Sequence, residues 1–463
     1  MKKNIIQKLV LGIILIITIA LGTICYADNP IIQTIYTADP APMVHEGIVY
    51  LYTGHDEDNA PNNRYLMHDY RCFTSTDMVN WTDLGMVLDI HKVFTWSGGD
   101  ANAAQCIYRN GKFYYYVSTA NTKGPSGVAL GVAVSDSPTG PFKDPLGKAL
   151  VTNNQTTYAR HNWDDLDPSV FIDDDGRAFL YWGNNACYFA ELNEDMISLK
   201  SDISAVPLNE ETFGPDFEEA PWLYKRNNMY YLIYASGLPE SIGYSTSNSP
   251  TGPWAFQKII MTKPLQRGLN TSHPGIIDYK GSSYLFYHSA ALPNGGDKRR
   301  GVCIEQFTYN EDGSIPEMKI TETGVTEGIA KLNPFIRTEA ETIAWESDIE
   351  TEVCSEGGMN VCEIENGDYI KVEDVNFDTG AASFEARVAS ATSGGNIEIR
   401  LDSLTGALVG TFPVSSTGDW QKWETKSCAI SEAKGVHDLY FKFSGESGHL
   451  FSFNWWKFSK NSN

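Results

Sequence analysis

Gly111-Lys112-Phe113-Tyr114-Tyr115-Tyr116 is a tight turn running into a strand of aromatic residues, and the chain uses this design five times. Upstream lies Gly47-Ile48-Val49-Tyr50-Leu51-Tyr52. Downstream lie Gly176-Arg177-Ala178-Phe179-Leu180-Tyr181, Asn228-Met229-Tyr230-Tyr231-Leu232-Ile233-Tyr234 and Gly281-Ser282-Ser283-Tyr284-Leu285-Phe286-Tyr287. The spacing, roughly 50–65 residues, is in the range of propeller blades. A second phrase repeats alongside: Ser135-Asp136-Ser137-Pro138-Thr139-Gly140-Pro141-Phe142 returns as Ser247-Asn248-Ser249-Pro250-Thr251-Gly252-Pro253-Trp254, with Ser75 to Trp81 as a variant. Almost no stretch has helical periodicity, so an all-β fold is expected, beginning with a five-bladed β-propeller.

The repeat fades after the hairpin-like turn Asn310-Glu311-Asp312-Gly313. Expected boundaries are a propeller over residues 28–325, a linker over 326–336 and a β-sandwich of jelly-roll type over 337–463. The last unit has about 125 residues, a comfortable size for a sandwich. Its end, Leu450 to Phe458, alternates like a closing strand. Residues 1–27 read as a secretory signal: Lys2 and Lys3 precede an apolar run from Leu9 to Leu21, and Cys25-Tyr26-Ala27 offers a cleavage site. A membrane anchor is the competing reading, but no basic stop-transfer segment follows. The expected location is therefore extracellular, with no membrane contact after cleavage.

The formal net charge of -23 argues against nucleic acid or anionic lipid as partners and suits a neutral polysaccharide. Beyond the signal the cysteines are Cys72, Cys106, Cys187, Cys303, Cys354, Cys362 and Cys428, an odd number with no zinc-like clustering. Cys354 and Cys362 are the one candidate local pair.

Three acids fall just ahead of three aromatic strands. Asp39 lies in Thr37-Ala38-Asp39-Pro40-Ala41, Asp167 in Leu166-Asp167-Pro168-Ser169, and Glu219 in Phe217-Glu218-Glu219-Ala220-Pro221-Trp222. A lone Asp-Pro step usually starts a turn. Three acids in register with the blades converge on one axis. Glycoside cleavage needs such a set: an acid to protonate the leaving oxygen and a carboxylate to activate water or attack.

These motifs, from about Ile32 to Gly324, resemble glycoside hydrolase family 43. The resemblance implies a five-bladed propeller and an inverting mechanism with Asp39 as general base, Glu219 as general acid and Asp167 orienting Glu219 and raising its pKa. Glu218 is the rival acid, and Ala220 stands where the family usually has Gly. It also implies that Arg300 reaches the sugar, with Arg299 as its rival, and that His273 lies near the axis against a water or a central cation, calcium being the candidate. No cofactor is needed for the chemistry. Trp96 and Trp182 are candidates for a sugar platform, and blade packing is the other use for them.

Arg337 to Lys460 resembles a family 6 carbohydrate-binding module at Glu339-Ala340-Glu341, Gly367 to Val372 and Asp419 to Trp423. By that resemblance Tyr369 and Trp423 clamp a sugar ring, while Glu339 and Glu341 belong to a calcium site. Ser452 and Asn454 depart from the family's Asn and Asp. The expected activity is α-L-arabinofuranosidase on arabinoxylan, by a monomer. A β-xylosidase is the alternative, and a non-catalytic polysaccharide-binding propeller or a fructan hydrolase is a more distant one.

Overall fold

The computed structural model describes residues 29–61, 64–159, 161–262 and 269–460. The signal segment lies outside the described residues. Among them, no helix is long and apolar enough to cross a membrane.

The chain is all-β. Its first part builds five antiparallel sheets from consecutive stretches of chain. Their first strands are Thr37–His45, Ser97–Arg109, Ser169–Ile172, Glu219–Arg226 and Gly275–Tyr279. The five aromatic runs form the second strands: Ile48–His55, Lys112–Asn121, Ala178–Trp182, Met229–Ser236 and Ser282–Ser289. Four of the five intervening turns have two successive residues at positive φ, as at Asn110 (50°) and Gly111 (80°). That geometry matches the twist of a hairpin, which is why Asn and Gly dominate there.

Both faces of these strands are covered, and each sheet shares a core with the next. Tyr52 and Tyr115 meet edge to face between the first and second sheets, 5.3 Å apart. Tyr116, Leu180 and Trp182 are buried together between the second and third, and Tyr181, Leu232 and Tyr234 between the third and fourth. Tyr231 and Tyr287 join the fourth to the fifth, and Val49, Leu51 and Phe286 join the fifth back to the first. The repeated phrase is a clasp between neighbours. The Tyr52 hydroxyl donates to the Pro138 carbonyl at 2.8 Å and the Tyr181 hydroxyl to the Pro250 carbonyl at 2.7 Å.

The second part has two antiparallel sheets. One runs through Glu350–Val353, Met359–Cys362, Ser452–Ser459, Ser383–Ser390 and Asp419–Ala429. The other runs through Trp345–Ser347, Tyr369–Asn376, Val436–Gly445, Gly395–Leu401 and Leu408–Val414. They bury one shared core that includes Phe384, Phe412, Phe441 and Trp456. The expected linker is not a free tether: Leu332 exchanges backbone hydrogen bonds with Asp374 and Asn376. Thr342–Ile343 also adds to the first sheet of the other part as a fifth strand, opposite Thr82 and Trp81.

The seven described cysteines are free thiols, which corrects the Cys354–Cys362 pairing. These two sit at opposite ends of a hairpin in which Glu350 faces Cys362 and Val353 faces Met359.

Candidate active site

Asp39, Asp167 and Ala220 all precede proline, and all have left-handed backbone, with φ of 53°, 58° and 56°. Such positions cost about 1–3 kcal/mol for a residue with a side chain and recur at functional sites. The pairing of first and second strands slips between Ala38 and Ala41 and again between Glu219 and Trp222. A bulge of this kind re-aims side chains out of the ladder. Asp39, Asp167 and Glu219 thereby line one cavity of about 420 Å³, together with Asn184, Glu240, His273 and Arg300.

Arg300 organises one wall. Its Nε and Nη2 donate to Asp56 Oδ2 and Oδ1 at 2.8 and 2.9 Å, and its Nη1 donates to Asp39 Oδ1 at 2.8 Å. The two-point grip on Asp56 fixes the guanidinium plane. His288 holds Asp39 from the other side. His288 Nδ1 lies 3.3 Å from the Asp39 amide nitrogen and 3.4 Å from Asp39 Oδ1, while Nε2 faces the Thr271 carbonyl at 3.0 Å. Burial alone raises the Asp39 pKa, but the Arg300 charge and the His288 contact outweigh it and hold the carboxyl below the usual range. Asp39 is ionised.

Glu219 is treated in the opposite way. Burial first, then the negative charges of Asp39 and Glu218, push its pKa up to about 7 against the Asn184 hydrogen bond. Asn184 Nδ2 donates to Glu219 Oε2 at 2.6 Å, which leaves Oε1 to carry a proton. Asp167 Oδ2 accepts from the Ala220 amide at 3.1 Å and so grips the backbone beside Glu219. Burial and the Glu219 charge raise the Asp167 pKa as well. Two adjacent buried carboxyls share their titration, and the pair retains a proton above the ordinary carboxylate range.

His273 is buried against Asp39 and Arg300, and burial lowers its pKa to about 4, so it is neutral. Among the described residues the one grouping of three metal-type donors is His55, Glu57 and Asp69. Arg299 turns away and donates from Nε to the Asn294 carbonyl at 2.9 Å. Glu218 lines the same cavity but precedes the bulge.

The two tryptophans expected as a platform do not line the cavity. Trp96 is 1% exposed and donates to Asp144, and Trp182 is 0% exposed and donates to Asp165. An exposed apolar pair takes that place: Trp163, 52% exposed and stacked on His161 at 4.2 Å, and Leu238, 66% exposed. Sequence reading missed these, along with Asp56, Asn184, Glu240 and His288. The one available signal was Trp163, which stands just ahead of the Asp165-Leu166-Asp167 motif.

In the C-terminal part Tyr369 and Trp423 do not form a clamp, because they stand on different sheets. Trp423 is buried with Cys354 and Ala389 and donates to Ser355 Oγ at 3.1 Å. Tyr369 packs beside Tyr440. Glu339 pairs with Arg337 at 2.8 Å. Glu341 Oε2 and Asn454 Oδ1 are buried without a hydrogen-bond partner, and the Ala340 amide donates to the Asn454 carbonyl at 2.9 Å. Two orphaned oxygens on adjoining backbone are a donor set suited to a hard cation.

A cavity with one ionised and one protonated carboxyl, walled by Arg300 and an exposed Trp, defines a glycoside-cleaving enzyme. The chain belongs to glycosyl hydrolases family 43: residues 27–315 match that family's model, and residues 339–460 match carbohydrate binding module (family 6). It is 35% identical over 482 residues to an arabinoxylan arabinofuranohydrolase of Bacillus subtilis, covering 94% of this chain and 92% of that protein. A solved Bacillus subtilis arabinoxylan arabinofuranohydrolase, in complex with cellotetraose, superposes with a TM-score of 0.81 at 32% identity, over 94% of this chain and 99% of that one. A β-xylosidase/α-arabinofuranosidase from a compost metagenome, solved with xylotriose in calcium-free form, gives 0.55 at 29%, over 63% and 96%.

Proposed function

We propose that the chain is a secreted, inverting α-L-arabinofuranosidase that removes arabinose side chains from arabinoxylan, built as a five-bladed β-propeller with a C-terminal β-sandwich. The observation that carries this is the opposed protonation of Asp39 and Glu219 within one cavity. Asp39 takes a proton from water as the water attacks the anomeric carbon, and Glu219 Oε1 gives its proton to the departing xylan oxygen. Asp167 holds the backbone beside Glu219, and the two adjacent buried carboxyls share the retained proton. The products are free arabinose of inverted configuration and a xylan hydroxyl. The chain's similarity to arabinoxylan arabinofuranohydrolases along nearly its whole length supports arabinose over xylose. The ring of shared cores between successive sheets supports the five blades, and one common core between two sheets supports the sandwich. We take the chain to act as a monomer. The export reading rests on residues 1–27 alone.

Incubation with wheat arabinoxylan, linear arabinan and xylobiose should release arabinose from the first. Xylose from xylobiose without arabinose from arabinoxylan would favour the β-xylosidase. Proton NMR of the first-formed sugar should show the inverted anomer; the retained one would remove Asp39 from the role of base.

Calcium in this reading sits at the module, with Glu339, Glu341 and Asn454 as its holders, and His273 near the axis is a second position for a cation or a water. There it would stabilise the fold and take no part in cleavage. Calcium should raise the unfolding temperature measured by calorimetry and a chelator should reverse the shift, whereas Glu341→Gln should respond to neither. Equal responses in both proteins would exclude the site.

A further inference from the structure

A second cleft, about 820 Å³ against about 420 Å³ for the catalytic cavity, lies between the propeller and the module. Its size is within the roughly 300–1,000 Å³ usual for ligand sites. Tyr36 and Pro293 form part of one wall, and Trp345 and Tyr369 part of the other. The strand pairing sets Ser347 opposite Tyr369 and Trp345 opposite Lys371, so Trp345 and Tyr369 share a face, while Ile370 points into the module core. Tyr36 and Trp345 are both partly exposed.

The two cavities are neighbours through the same segments of chain. Tyr36 lines the cleft three residues before Asp39 lines the catalytic cavity. Residues 291–294 line the cleft, while Asp297, Lys298 and Arg300 on the same connection line the catalytic cavity. The Tyr36 hydroxyl donates to the Pro293 carbonyl at 2.7 Å and ties these segments together.

The chemistry of the lining is that of a sugar site. Aromatic rings pack on the apolar faces of pyranoses, and carboxylates accept from their hydroxyls. Asp58, Asp348, Glu350 and Glu363 supply carboxylates, and among the described residues no Lys or Arg lines the cleft. A neutral chain is welcome there, and a uronate is repelled.

We infer that this cleft is a second sugar subsite, which holds an undecorated stretch of xylan main chain beyond the residue whose side chain is being cut. The inference rests on the arabinoxylan reading. Trp345 is a binding residue here, distinct from the cleavage groups.

The test is calorimetric binding of xylotriose, xylohexaose and a glucuronate-bearing xylo-oligosaccharide to the full chain carrying Glu219→Gln, so that nothing is cleaved. Xylohexaose should bind about tenfold more tightly than xylotriose, Trp345→Ala should erase that gain, and Trp345→Phe should keep most of it. Glu350→Lys, an exposed change, should improve binding of the glucuronate oligosaccharide relative to xylohexaose. Thermal unfolding of each variant establishes that it is folded. The same gain in Trp345→Ala as in its parent, or no gain in the parent, overturns the inference. Arabinose release is measured separately on the chain with Glu219 intact. Its failure would sink the arabinofuranosidase reading and leave the binding result standing.

Discussion

Glu219→Gln is expected to lower kcat on arabinoxylan roughly 10²- to 10⁴-fold, the usual contribution of a positioned general acid. Gln has the shape of Glu and can still accept from Asn184 Nδ2, so the cavity keeps its form while losing the proton. The loss should shrink on an arabinoside with an acidic phenol as leaving group, because that oxygen departs without much protonation. Undiminished turnover would transfer the acid role to Glu218. The pH profile carries the same signature. Glu219 is active when protonated and its pKa is raised to about 7, so kcat/KM of the parent should fall as pH rises through about 7. Stability follows by linkage. A carboxyl whose folded pKa lies above its ordinary 4.5 contributes stability that is present below 4.5 and lost as pH rises through about 7. The Gln variant should therefore unfold at a higher temperature than the parent near pH 8 and at the same temperature near pH 4. Equal curves at both would show that burial does not hold the proton on Glu219.

How far this site was legible in the sequence depended on where each residue's position is decided. Asp39 and Asp167 were visible because each occupies a proline-preceding turn at a fixed offset from an aromatic strand, and that offset is local. Glu219 was visible for the same reason, displaced by one residue because Ala220 takes the strained position. The aromatic runs were legible as strands, but not which of their faces meets a ligand. In a strand covered on both sides, alternation does not separate core from site, and Trp182 is in the core. Trp163 was overlooked because it lies in a loop with no pattern. Asp56 and His288 were overlooked because their roles exist only when the first and fifth sheets meet, 244 residues separating Asp56 from Arg300. Tyr369 and Trp423 failed as a clamp for a related reason. Motif order in a domain of two sheets does not say which sheet each strand joins, and these two join different ones.

Asp39→Asn should be as damaging as loss of the acid, again roughly 10²- to 10⁴-fold in kcat, since an amide cannot take the proton of the attacking water. The fold should survive, because Arg300 keeps both bonds to Asp56 and the new side-chain amide oxygen can still accept from Nη1. What separates a missing base from a distorted site is the pH dependence on the acid side. In the parent, Arg300 holds Asp39 ionised down to strongly acid pH, so the acid limb lies below the ordinary carboxylate range. Removing the guanidinium charge while keeping Asp39 should move that limb upward and past the ordinary Asp value of about 3.9, because burial, the largest influence on this carboxyl, then outweighs the contacts that remain. Arg300→Ala is the harsher way to do this, because Asp56, 0% exposed, then loses its cation. That orphaned charge is worth about 3–5 kcal/mol of stability. Arg300→Lys keeps a charge but not the two-point grip, so it should preserve the fold better and still weaken the hold on Asp39. Its kcat/KM should drop roughly ten- to hundredfold, in line with one charge-assisted hydrogen bond. An acid limb that does not move in either Arg300 variant would mean that Asp39 is kept ionised by something other than this contact, and the role of base would then need another source of its low pKa.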